Sequence, residues 1–219
     1  MTDFSTLRQR MVDNQIRTSE VTDRAVLDAF LSMPREIFVE AGARPFAYGD
    51  VEVRMSPASA RRMTDPVRQA RLIQALPRGG NIRAMVVACG SGYSAAILAR
   101  LVGSVVAIEE DRALAALARG NLAACGAQNV TVFEAGLADG HPQGAPYGAI
   151  LIDGAVEVMP ASLLSQLAPG GALVTVERNG AVSRAVLYER VGDETTKWPL
   201  LDAWAPVLPG FERRPTFAF

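Results

Sequence analysis

The apolar positions along this chain change their spacing several times, and each change marks an element. Residues 4–33 repeat apolar side chains at helical intervals, with Leu7, Met11 and then Gln15 on one face and Val26, Leu27, Phe30 and Leu31 on a second helix. Thr22 is placed to cap that second helix, and Pro34 to stop it. From Pro45 to Asp65 the periodicity lapses into a stretch with Pro57, several arginines and few apolar residues. It reads as a long loop, and such loops are often functional. Asp65-Pro66 then opens a helix to Leu76, with proline at the favoured first position.

From Ile82 the pattern tightens. A buried strand (Ala84 to Ala88) runs into a turn of Gly90, Ser91 and Gly92, a helix from Tyr93 to Leu101, and a second strand (Ser104 to Ile108) that ends in Glu109 and Glu110. Short β-branched runs flanking a helix are the signature of a βαβ unit in a parallel sheet. The alternation continues with a helix from Asp111 to Cys125 closed by Gly126, strands Val130 to Phe133 and Tyr147 to Ile152, and a helix from Pro160 to Leu167. Pro169-Gly170-Gly171 turns into a strand from Ala172 to Val176, and two or three extended segments follow to Phe219. Helices first and alternating strands and helices afterwards predict a doubly wound α/β fold. One domain is expected over residues 1–219, with 1–80 as an N-terminal helical layer and loop and 81–219 as the core with its C-terminal strands.

Composition removes several classes of function. The 22 basic and 23 acidic residues leave a net charge of −1, which makes no electrostatic case for nucleic acid or a membrane surface. The apolar run from Met85 to Ile108 is interrupted by Gly90, Gly92, Arg100 and Gly103, which argues against a membrane span. Cys89 and Cys125 form no CxxC and read as small core residues of a protein in a reducing, cytoplasmic compartment. His141 is the single histidine and has no ligand spacing, so it is expected on a surface loop and no metal site is expected.

The chemistry concentrates in the βαβ unit. Gly90-Ser91-Gly92-Tyr93-Ser94-Ala95 matches G-x-G-x-x-A, and Glu109 stands about 20 residues beyond the turn, where an acidic side chain meets ribose hydroxyls. A dinucleotide site and a methyltransferase site share this geometry. Two features favour the methyltransferase: the helical extension before the first strand, and the run Leu163-Leu164-Ser165-Gln166-Leu167-Ala168-Pro169-Gly170-Gly171-Ala172-Leu173-Val174, which resembles the helix, PGG turn and strand late in class I S-adenosylmethionine-dependent methyltransferases.

Met11-Val12-Asp13-Asn14-Gln15-Ile16-Arg17, Asp23 through Phe30, Met33-Pro34-Arg35-Glu36-Ile37-Phe38-Val39, Ala47-Tyr48 and Asp50 resemble the protein-L-isoaspartate O-methyltransferase family over roughly residues 8–176. The resemblance implies a seven-stranded, mostly parallel sheet with its cofactor at the carboxyl ends of the first two central strands. It also implies transfer of a methyl group from S-adenosylmethionine, leaving S-adenosylhomocysteine, to the free carboxylate of isoaspartyl residues in damaged proteins. Carried over onto this chain, the cofactor would meet Asp65, Cys89, Gly90, Ser91, Gly92, Glu109, Glu110, Gly136 and Leu137, and Thr64 would hold the active-site hydroxyl position. Thr64 is either that donor or a cap for the helix at Pro66.

Three positions depart from the family pattern. Val86 stands for an acidic residue, Ala88 for a glycine, and Leu137 for an aspartate that Asp139 could replace after a loop rearrangement. An interaction protein with a degraded cofactor site, or a nicotinamide-dependent oxidoreductase, therefore stands as an alternative. Arg54, Arg61 and Arg62 read as a solvated charged loop rather than a carboxylate trap, and Trp198 and Trp204 as packing anchors. Protein or peptide substrates are the expected partners, and the sequence sets no oligomeric state.

Overall fold

In a computed structural model, which describes residues 2–213, the strand-forming runs assemble into a seven-stranded sheet of order β5-β4-β3-β6-β7-β8-β9. The strands are β3 (Gly79–Val87), β4 (Val102–Glu109), β5 (Val130–Glu134), β6 (Tyr147–Val156), β7 (Leu167–Asn179), β8 (Val182–Val191) and β9 (Glu194–Asp202). β3 to β7 pair in parallel, and the last two strands return antiparallel. A separate two-stranded hairpin joins β1 (Val53–Arg54) to β2 (Arg62–Met63).

Strand periodicity divides the interior in two. Ala84 and Val86 of β3, with Val105 and Ala107 of β4, face one core, while Met85, Val87, Val106 and Ile108 face the other. The first core is roofed by α1 (Phe4–Met11), α2 (Arg24–Ser32), α3 (Pro66–Gln74), α4 (Tyr93–Ala99) and α5 (Arg112–Ala124), which all send buried side chains into it. The second is closed by α6 (Ala161–Leu164) and the C-terminal segment through Leu208 and Phe211. The expected N-terminal helical layer is thus one cover of the sheet.

Several boundaries differ from the sequence expectation. The α2 cap is Asp23, whose carboxylate accepts from the Val26 amide at 3.1 Å, not Thr22. The helix expected from Pro160 to Leu167 is a single turn, because Leu167 already begins a strand of 13 residues. Trp198 and Trp204 are 55% and 56% exposed, so they do not anchor the tail as expected. Residues 214–219 of the expected extended tail lie outside the described residues.

Strand order reverses beside β3: β4 and β5 lie on one side of it and β6 and β7 on the other. In open α/β sheets the crevice at such a switch point, beyond the strand carboxyl ends, is where ligands bind. The ends of β3, β4 and β6 deliver Ala88, Glu109 and, within β6, Asp153 to that place.

Candidate cofactor crevice and active site

Glu109 ends β4 wholly buried. Its Oε2 accepts from the Gly90 amide at 2.7 Å and its Oε1 from the Asp111 amide at 3.1 Å. Gly90 has φ +57, and a Cβ built there would lie 2.6 Å from Met55 Sδ, so the turn needs glycine both for its backbone and for what approaches it. Gly92, at φ +98, serves packing: a Cβ there would come 3.3 Å from Ala118 and Leu122 of α5. Of the two glycines expected to face a ligand, only Gly90 lines the crevice.

What occupies the crevice is the chain itself. Arg61 Nη1 donates to both Glu109 oxygens at 2.5 and 2.6 Å, and its Nη2 donates to the Ala88 carbonyl at 2.8 Å. Met55 Sδ accepts from the Ser91 amide at 3.3 Å. The space left among Met55, Arg61, Ala88, Gly90, Ser91 and Asp153 is about 10 Å³, room for one water at most. The expectation that Arg61 is solvated is therefore corrected. A wholly buried carboxylate left without a cation is costly, so an arginine within reach is drawn to it even though its own desolvation offsets much of the gain.

The walls are those of a polar ligand site. Ser91 Oγ and Ser94 Oγ are buried at the glycine turn without a hydrogen-bond partner, a state that costs each hydroxyl its hydration. Ala88 sits at φ +63, a conformation that costs an L-residue roughly 1–2 kcal/mol and that the family pattern assigns to glycine. Cys89 is buried in the crevice wall, and burial followed by the nearby Glu109 charge pushes its thiol well up, which favours the neutral thiol. The walls fit a nucleoside-bearing cofactor in chemistry: a glycine cradle, a buried carboxylate for hydroxyls, unpaired donors. The volume does not fit while Met55 and Arg61 remain in place, since such ligands need some hundreds of Å³.

The remaining expected contacts divide. Glu110 is exposed, and desolvation followed by its neighbour Glu109 raises its carboxyl above the usual range. Leu137 is buried in the second core with Ala88 and Ile108, whereas Gly136 and Asp139 are exposed. None of Glu110, Gly136, Leu137 or Asp139 lines the crevice. Asp65 is the α3 cap, accepting from the Arg68 amide at 2.8 Å and pairing with the Arg68 guanidinium at 3.1 Å. That assigns the cap to Asp65 and frees Thr64 from it. His141 is partly buried rather than on a free surface loop, its ring 4.1 Å from that of Phe133.

Thr64 is nearly buried, and its hydroxyl donates to Asp153 Oδ1 at 2.6 Å. Asp153 Oδ2 accepts from Gln69 at 3.3 Å, and Gln69 in turn accepts from the wholly buried Arg35 at 3.1 Å. Thr64 thus points to the crevice through Asp153, which lines it. Asp153 was missed from sequence although it follows the apolar run Ile150-Leu151-Ile152, the same carboxyl-end placement that singled out Glu109. Met55 carried no signal at all.

A doubly wound sheet with a glycine turn and a buried carboxylate at its switch point places the chain among nucleoside-binding α/β proteins, a class that includes the class I methyltransferases. Comparison with known sequences is specific: the pattern of the protein-L-isoaspartate(D-aspartate) O-methyltransferase family matches residues 6–200, and the chain belongs to that family. It is 36% identical to protein-L-isoaspartate O-methyltransferase 1 of Rhodopseudomonas palustris, covering 95% of this chain and 89% of that protein. It is 39% identical to the protein-L-isoaspartate O-methyltransferase of Methanoregula boonei, over 84% of each. Among solved structures, a protein-L-isoaspartate O-methyltransferase superposes with a TM-score of 0.83 at 22% identity, over 93% of this chain and 66% of that one. A Plasmodium falciparum chain described as the same enzyme, in complex with S-adenosyl-L-homocysteine, gives 0.77 at 20% identity over 95% and 99%. These two likenesses establish the fold.

Proposed function

We propose that this chain transfers a methyl group from S-adenosylmethionine to the free carboxylate of isoaspartyl residues in proteins or peptides. The observation that carries the reading is the match to the isoaspartate methyltransferase family over residues 6–200, with a buried Glu109 and the Gly90 turn at the switch point. When bound, the cofactor supplies an electrophilic methyl on a sulfonium. Glu109 would accept from ribose hydroxyls in place of Arg61, and the Ser91 and Ser94 hydroxyls are free to donate to the cofactor. The acceptor carboxylate is ionised near neutrality and needs no base. What the chain must provide is orientation and exclusion of water. Two free cysteines fit a reducing compartment, and we place the activity in the cytoplasm. Among the described residues no helix is long and apolar enough to cross a membrane.

Asp153 favours one variation on this reading. A hydroxyl has a single proton, and Thr64 gives its proton to Asp153. A substrate carboxylate arriving there meets a carboxylate and a hydroxyl with nothing to donate. An acceptor that brings its own proton, a neutral O–H or N–H group, would instead find Asp153 placed to take it. Asp153→Asn separates the two. With a carboxylate acceptor, the substitution removes a like charge, and methylation of an isoaspartyl peptide should rise several-fold. With a protic acceptor, loss of the base should lower turnover by about 10²-fold or more. Thr64→Val should depress isoaspartyl methylation about 10²-fold if the hydroxyl turns to the substrate. Unchanged turnover in Thr64→Val would remove Thr64 from the catalytic residues.

A further inference from the structure

We propose that the hairpin tip from Met55 to Arg61 is a built-in occupant of the cofactor crevice, which S-adenosylmethionine must displace from Glu109 in order to bind. This rests on the cofactor reading above and concerns the regulation of that same site.

The tip's hydrogen bonds to the crevice are made by side-chain ends, and Met55 also packs into the first core. Arg61 reaches Glu109 and the Ala88 carbonyl, and Met55 reaches the Ser91 amide. The backbone hydrogen bonds of the tip are local: the Ser59 amide to the Ser56 carbonyl at 3.3 Å, with the Ala58 and Arg61 amides turned to the hydroxyls of Ser56 and Ser59. Its base is clasped by the pairing of Val53 with Met63 and of Arg54 with Arg62. The tip can therefore swing out as a unit about β1 and β2 without opening the seven-stranded sheet.

Arg61 also imitates what it excludes. Its Nη1 sets N–H donors against both oxygens of Glu109, the role that vicinal ribose hydroxyls fill in nucleoside sites. A buried carboxylate cannot stand without donors, so the closed tip and the bound cofactor satisfy the same group by turns. The closed state leaves a remainder: Ser91 Oγ and Ser94 Oγ are buried and unpaired with the tip in place. Most buried hydroxyls in protein interiors are paired, and a third unpaired one, that of Tyr93, belongs to the same crevice lining. A polar ligand that fills the crevice can complete them, and the tip does not.

A ligand that binds only the open fraction f has an apparent dissociation constant raised by 1/f. Removing the occupant should therefore tighten binding even though it deletes crevice contacts. S-adenosylhomocysteine would be titrated calorimetrically into the wild type, Arg61→Ala and Met55→Ala, and wild-type association followed by stopped flow. Arg61→Ala should bind at least ~10-fold tighter and Met55→Ala at least ~3-fold tighter. The wild-type association rate should level off at high ligand, where tip opening limits it, and the plateau should vanish in Arg61→Ala. Should Arg61→Ala fail to fold, Met55→Ala, which leaves the ion pair intact, and the wild-type plateau decide the matter. If the wild type binds as tightly as both variants, with no plateau, the cofactor reading stands and the occupant does not compete. If none of the three binds, the cofactor reading falls and takes this inference with it.

Discussion

Arg35 and Arg61 are both drawn inward, and they are held in opposite ways. Arg35 is wholly buried, and each of its three guanidinium nitrogens donates to a different neutral acceptor: Nε to the Ala47 carbonyl at 2.7 Å, Nη1 to Gln69 Oε1 at 3.1 Å, Nη2 to the Thr64 carbonyl at 2.5 Å. Its guanidinium also lies 4.7 Å from the centre of the Tyr93 ring. Arg61 is 22% exposed and puts most of its bonding on one carboxylate. Three acceptors fixed in three directions on separate segments can be matched by a planar fork and by little else. One carboxylate can be satisfied by any donor that reaches it. The first arrangement ties three segments of the N-terminal layer to one another, and the second is exchangeable.

The comparison is tested hardest at Arg35. Arg35→Leu fills similar volume but strands the Ala47 and Thr64 carbonyls and Gln69 in the interior. We expect a loss of about 3 kcal/mol or more, which for a chain of this size lowers the melting temperature by roughly 6–12 °C. A loss under about 1 kcal/mol in thermal or urea melts would show that these groups find other partners, and the distinction would collapse.

Arg61→Ala should cost less without ligand, about 2 kcal/mol. Glu109 keeps the Gly90 and Asp111 amides, and the partly open mouth lets water reach the carboxylate. Adding Glu109→Gln should recover most of that loss by removing the unpaired charge. Equal losses for Arg61→Ala and Arg35→Leu in the same denaturation experiment would make Arg61 a structural tie like its counterpart.

How much of this could be read from the sequence follows from the range of the interactions. The β3-α4-β4 unit was legible because its signals are local: β-branched runs, a Gly90-to-Gly92 turn and an acidic strand end lie within one continuous stretch. Glu109 was singled out for the same reason, and the structure buries it against the Gly90 amide. The α2 cap was misassigned by one residue, to Thr22 instead of Asp23, and Thr64 was left open between donor and cap, since Thr and Asp carry the same capping chemistry and only backbone geometry separates neighbours. Arg61 is the instructive failure. Its partner is 48 positions away, and a loop arginine that ends in a crevice looks, in sequence, like one that ends in water. Trp198, on the edge strand β9, and Trp204, just beyond it, failed in the opposite direction: their size promised burial, but nothing in their neighbourhood settles whether anything covers them.

The smallest expected effect is at Ala88, which links the exchangeable arginine to the sheet. Its carbonyl accepts from Arg61, and its φ of +63 lies where glycine is favoured. Ala88→Gly should relieve about 1–2 kcal/mol of backbone strain and give back about 0.5–1 kcal/mol through the more flexible unfolded chain. The net gain should be about 0.5–1 kcal/mol, or roughly 1–4 °C. The conformation has two conceivable origins. If the strand-to-turn geometry imposes it, through the Cys89 amide bound to the Ile108 carbonyl at 3.0 Å, the gain should be the same with Arg61 present or replaced by alanine. If Arg61 pulls the carbonyl into place, the residue can relax in Arg61→Ala and the gain should vanish there. We expect additivity within about 0.5 kcal/mol, because β3 pairs with β4 up to Val87 and the turn is anchored again at Cys89. Ala88 is then strained by the fold and merely used by Arg61. A gain confined to the wild-type background would instead mean that the closed tip holds this strain, and that opening releases it.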